Sequence, residues 1–121
     1  MPGAVRALRG ATTVDDDTPE QIEDRVVALL REMLTRNGVE HDELVSILFT
    51  ATDDVHSAFP AAAARTIGLG DVPLICAREL DITDATPRCI RVMMHLWTER
   101  SRADLRHVYL EGAKGLRDDL P

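Results

Sequence analysis

The sequence predicts an α+β fold, with several short strands, one long helix and short helices, in a single domain over residues 1–121. Three observations predict it. A chain of 121 residues has the size of one domain, able to bury a core but not a deep one. Apolar residues recur at helical spacing over one long stretch only, after Thr18. The remaining apolar runs are of strand length and are separated by polar, glycine or proline breaks.

Taken in order, residues 5–14 read as a first strand with β-branched residues at its end and Gly10 inside it. Asp15-Asp16-Asp17 is a solvated break that also favours the helix N-terminus after it. That helix starts on three agreeing signals: Thr18 as cap, Pro19 at the first helical position, and Gln21 to complete a capping box. Ile22, Val26, Leu29, Leu30 and Met33 form its single apolar stripe, and Asn37-Gly38 supplies the stop. Leu44–Ala51 reads as a second strand, apolar at most positions and therefore interior. Thr52-Asp53-Asp54 ends it. Residues 60–67 form a short helix, with Pro60 near its start and Gly68 closing it. Residues 72–80 are a third extended stretch, which Pro73 restricts to a sheet edge or a strand start. Cys89–Thr98 is a fourth strand and residues 106–111 a fifth; residues 112–121 are a short tail with room for one helical turn.

The fourth strand is the most informative. Ile90, Val92, Met94 and Leu96 fall on one face, which must meet the core. Cys89, Arg91, Met93, His95 and Trp97 fall on the other, which is too apolar for water yet carries an arginine at its middle. One long helix covers one face of a sheet, so something else must cover the second. A neighbouring copy of the same chain is the economical answer, and patterning alone predicts an oligomer.

Composition narrows the function. A net charge of -7 makes the chain a poor general binder of nucleic acid, because phosphate contacts need a basic field. No apolar run is long enough to span a membrane, and the opening Met1-Pro2-Gly3-Ala4-Val5-Arg6 lacks the layout of a signal peptide. The expectation is a cytoplasmic protein with no nucleic-acid and no membrane partner. Cys76 and Cys89 form no Cys-x-x-Cys pair and no zinc spacing. Of 14 basic residues Lys114 is the only lysine, which a GC-rich genome explains without any function.

No nucleophile or acid–base set emerges. Ser46, Ser57 and Ser101 lack the glycine elbow of a hydrolase serine, and there is no glycine-rich phosphate loop. Asp53-Asp54 with His56 reads as a solvated turn rather than a metal site, so no metal and no cofactor are expected. What remains is a set of residues in or beside strands: Arg9, Arg91 and Tyr109, with Arg117 near the end. A buried strand arginine needs an anionic partner. An internal salt bridge to Glu79 or Asp81 would supply one; so would a pocket for a carboxylate ligand, whose geometry the guanidinium fork matches.

Five blocks resemble a known family. Arg6-Ala7-Leu8-Arg9-Gly10-Ala11-Thr12-Thr13-Val14 is similar to the opening of the monofunctional chorismate mutases of the Bacillus (AroH) type. Ala51-Thr52-Asp53-Asp54-Val55-His56-Ser57-Ala58-Phe59-Pro60-Ala61 resembles their second motif, and Val72-Pro73-Leu74-Ile75-Cys76-Ala77-Arg78-Glu79-Leu80-Asp81 their third. Cys89-Ile90-Arg91-Val92-Met93-Met94 and Arg106-His107-Val108-Tyr109-Leu110 resemble the last two. The blocks run in the right order from Arg6 to about Asp119, and the order is what makes them specific.

The resemblance implies a mixed sheet flanked by helices, with three copies packed into a pseudo-α/β-barrel and active sites at the subunit interfaces. It implies the rearrangement of chorismate to prephenate, on the way to phenylalanine and tyrosine. It places Arg91 at the ether oxygen of the breaking bond, Arg9 with Tyr109 on the enolpyruvyl carboxylate, and Glu79 with the backbone around Cys76 on the ring hydroxyl. Phe59, Ala61, Leu74, Ile75 and Leu116 would be apolar walls. Arg65 and Arg117 would sit near the mouth, and residues 59–65 would come from the neighbouring subunit. Two positions depart: members often carry lysine at Ala62 and threonine at Ile75, neither central to the chemistry. A trimeric module that binds a small carboxylate without converting it is the alternative, and it leaves Arg91 without a task.

Overall fold

The computed structural model describes residues 3–116. Its elements are β1 (Ala4–Thr13), α1 (Pro19–Asn37), β2 (Leu44–Ala51), α2 (Pro60–Thr66), β3 (Leu74–Arg78), β4 (Cys89–Thr98) and β5 (Val108–Tyr109), with short 3-10 turns at His41–Glu43, Arg102–Asp104 and Glu111–Ala113. The five strands form one sheet in the order β3-β2-β4-β1-β5. β4 runs antiparallel to both of its neighbours, while β3 lies parallel to β2 and β5 parallel to β1. The sheet is therefore mixed, as the resemblance implied.

The alternation in β4 sets the two faces. Ile90, Val92, Met94 and Leu96 are buried and join Leu8, Ile47 and Phe49 in one core with the α1 stripe of Ile22, Val26, Leu29, Leu30 and Met33. Burying each such side chain is worth about 1.5–3 kcal/mol. Gly10 lets β1 approach α1 closely: a Cβ there would lie 2.5 Å from Met33 Sδ and 3.1 Å from Leu29 Cδ1. The second face, formed by Val5, Arg9, Ser46, Leu48, Thr50, Ile75 and the odd residues of β4, is covered among the described residues only at its Cys89 end, where Ala113 and Leu116 pack. Val5 and Trp97, paired across β1 and β4, are 52% and 55% exposed.

Several expectations need adjusting. Gln21 does not close a capping box. Thr18 Oγ1 accepts from Gln21 N at 3.2 Å, but the Gln21 side chain reaches back past the cap and accepts from Asp15 N and Asp16 N. The acidic break is thereby folded onto the helix start. Residues 72–80 contribute only Leu74–Arg78 to the sheet, where Pro73 precedes an edge strand as anticipated. The fifth strand shrinks to two residues because other groups take its flanking backbone: Arg106 N donates to Asn37 Oδ1 at 2.7 Å, and Glu111 turns left-handed at φ 51°. Gly38, at φ 58°, ends α1 as its composition suggested.

β4 is aimed by the turn before it. Arg88 holds a left-handed backbone at φ 46°, and its N–H donates to both oxygens of Asp54 at 3.1 and 2.9 Å. Cys89 N then donates to Thr52 Oγ1 at 2.9 Å. These bonds start the strand in the register that places Arg91 opposite Thr50 and Ala11.

Candidate active site

At the middle of the second face a concavity of about 230 Å³ is lined by side chains from all five strands or the residue that follows one. β1 contributes Arg9, β2 contributes Leu48 and Thr50, and β4 contributes Arg91 and Met93. Tyr109 stands on β5, and Glu79 directly follows β3. Glu79 is pinned by its backbone, with Glu79 N donating to Ala51 O at 2.9 Å. Its Oε2 lies 3.4 Å from Arg91 Nε and accepts from Thr50 Oγ1 at 2.5 Å. The internal salt bridge weighed from the sequence thus exists, to Glu79. Its shortest distance is longer than a charge-assisted hydrogen bond, and 44% of the Arg91 side chain stays exposed.

Tyr109 Oη is buried and has no hydrogen-bond partner among the described residues. A buried phenol without a partner costs free energy unless a ligand or neighbour completes it. It lines the same concavity as Arg9, so a cation and a hydroxyl donor share that space with Arg91 and Glu79. Beneath lies a small apolar cluster of Ala11, Cys89 and Ala113, against which Tyr109 and Leu116 pack. Burial pushes the Cys89 thiol up, opposed by the nearby Arg91 charge, so it is a packing group and not a thiolate nucleophile.

The other site residues expected from the resemblance lie elsewhere in one chain. Phe59 is 73% exposed and lines, with Cys76, a separate hollow of about 690 Å³ beside the start of α2. The two hollows share no lining residue. Ala61 is buried in the main core, and Leu74, paired with Ile47, packs against that core. Ile75 points the other way, onto the second face, and is 65% exposed. Arg65 is exposed on α2. Arg117 lies outside the described residues. Thr50 was overlooked in the sequence; the signal was a hydroxyl residue alternating with Ser46 and Leu48 in an otherwise apolar strand.

Comparison with known proteins decides the family. A family model described as chorismate mutase type I matches residues 5–120. The chain belongs to the type I chorismate mutases. It is 49% identical over 118 residues to chorismate mutase AroH of Thermus thermophilus, covering 96% of each chain. It is 42% identical over 117 residues to chorismate mutase AroH of Bacillus subtilis (strain 168), covering 96% of this chain and 92% of the relative. A solved chorismate mutase from Clostridium thermocellum superposes with a TM-score of 0.88 at 48% identity, over 90% of this chain and 97% of the other. Within this type I chorismate mutase, no described helix is long and apolar enough to cross a membrane, and no three described His, Cys, Asp or Glu side chains group to hold a metal ion.

Proposed function

We propose that this chain converts chorismate to prephenate, as one domain over residues 1–121 of a homotrimer whose pseudo-α/β-barrel buries the second sheet face and completes each site with a neighbouring copy. The observation that carries the reading is Tyr109 Oη, buried and without a hydrogen-bond partner among the described residues, in one concavity with Arg9, Arg91 and Glu79. Arg9 and Tyr109 would take the enolpyruvyl carboxylate, Glu79 and the backbone around Cys76 the ring hydroxyl, and Arg91 the ether oxygen. The exposure of Phe59 and Arg65, away from that concavity in their own chain, supports their donation to a neighbour's site. There Phe59, Ile75 and Leu116 would act as walls and Arg65 with Arg117 as charges at the mouth.

A Claisen rearrangement is unimolecular. The protein has to hold the substrate in its compact diaxial shape, which supplies orientation. It also has to stabilise the separation of charge as the ether bond breaks. A fixed guanidinium at that oxygen interacts more strongly with the transition state than with the substrate, and that difference is what accelerates the reaction. A passive carboxylate-binding module has no use for a cation at that point. The route serves phenylalanine and tyrosine formation, in the cytoplasm. Adding chorismate and following loss of its ultraviolet absorbance tests the activity, and light scattering in dilute buffer tests the trimer. No turnover above the uncatalysed rate, or a stable and fully active monomer, would overturn the corresponding half of the reading.

A further inference from the structure

We infer that Thr50 is a positioning residue: its hydroxyl holds the Glu79 carboxylate off the Arg91 fork, keeping both groups available to the substrate. The inference deepens the reading above and rests on it. Thr50 sits at the centre of the three strands that build this side of the site, opposite Arg91 on β4 and Ala77 on β3. Its Oγ1 donates to Glu79 Oε2, the same oxygen that lies 3.4 Å from Arg91 Nε. One oxygen is thereby occupied and the other is left to accept from a ligand hydroxyl.

Arg and carboxylate side chains this close ordinarily close into a parallel, two-bond pair. Such a pair would consume the donors of Arg91 that the reacting oxygen needs, and both oxygens of Glu79. The hydroxyl competes for the carboxylate, and the shortest Arg91–Glu79 approach stays at 3.4 Å, longer than a charge-assisted hydrogen bond. The other charged or titratable groups facing this carboxylate are Arg9 on β1, Tyr109 on β5 and Cys89 on β4. Arg9 and Tyr109 are donors as well, but the hydroxyl seen to donate to this carboxylate is that of Thr50, while Tyr109 Oη has no partner among the described residues. Cys89 is turned into the small apolar cluster below.

Thr50→Val keeps the shape and removes the donor; Thr50→Ser keeps the donor and removes a methyl. With purified, assembled enzyme and chorismate as substrate, kcat of Thr50→Val should fall about tenfold while KM changes less than about threefold, as loss of one hydrogen bond to a charged group implies. Thr50→Ser should restore kcat to within about twofold of the parent. In a Glu79→Gln background the valine change should cost little more, because Thr50 acts through that carboxylate. An active parent whose valine variant keeps its kcat, or whose serine variant is as impaired as the valine one, overturns this inference alone. A parent without chorismate turnover overturns it together with the functional reading.

Discussion

The two faces of the sheet are made by alternate residues of the same strands and do opposite things. On the face toward the helices, Leu8, Ile47, Phe49, Ile90, Met94 and Leu96 are fully buried, all apolar and without a titratable group among them. On the other face, one residue along, stand Arg9, Thr50, Arg91, His95 and Trp97. The first face is closed by its own chain and holds the fold. The second is left largely open among the described residues, and both the proposed chemistry and the proposed assembly belong to it. Changes on the two faces should therefore separate stability from turnover, even when the residues changed are sequence neighbours.

The largest effect should come from the covered face. Phe49→Ala leaves a cavity in the main core and should cost about 3–5 kcal/mol of stability. Chemical denaturation measures it, and kcat of the folded fraction should stay near the parent value. A large loss of kcat with unchanged stability would break the division between the faces. A smaller effect is expected from Val5→Glu with Trp97→Glu, which sets two like charges opposite each other on the open face. The variant should sediment as a monomer with its circular dichroism retained and its turnover reduced. A fully active trimer would show that this face is not the one that assembles.

The smallest effect concerns pH. Burial alone would raise the Asp17 and Asp54 carboxyls, but hydrogen bonds outweigh it and hold both below their usual range: Ser57 and His56 on Asp17, Thr52 and Arg88 N–H on Asp54. Their stabilisation is present above the unfolded carboxylate value of about 3.9 and is lost as pH falls through the lower native values. His41 runs the other way. Its hydrogen bond and charge attraction to Asp71 raise it, so its contribution is complete below about pH 6.5 and fades as pH rises through the raised native value. Tm should thus fall steeply only in acid, with a slight decline above neutrality that His41→Asn removes. Turnover should be flat from about pH 6 to 8, because the rearrangement moves no proton. A bell-shaped kcat profile centred on neutrality would contradict that.

How much of this was legible in the sequence varies with the range of the interaction involved. The period of two in β4 is a local signal, so its bounds and both of its faces could be read directly. The Thr18 cap was equally local, but the Gln21 side chain had two competing targets and took the farther one. The fifth strand was overextended because Asn37, 69 residues away, takes the Arg106 backbone, a contact no local pattern carries. At the site, Arg91 stood out as a charge on an apolar face. Its approach to Glu79 depends on β3 and β4 both flanking β2, which is a matter of topology. Thr50 escaped notice because a threonine in a strand is ordinary until its neighbours are known. The separation of Phe59 from Arg91 within one chain also emerges only in three dimensions.

The claim at the centre is that the positive charge of Arg91 acts on the transition state and does not merely pair with Glu79. Replacing Arg91 with citrulline keeps the shape and several donors and removes the charge. Turnover and Tm, measured on the same assembled samples, separate the two roles. The account predicts turnover lower by about a hundredfold to a thousandfold or more, as for loss of one preorganised stabiliser, with substrate binding weakened less and Tm little changed. Undiminished turnover in a folded citrulline variant, with only a lowered Tm, would contradict it and leave Arg91 as a structural ion pair.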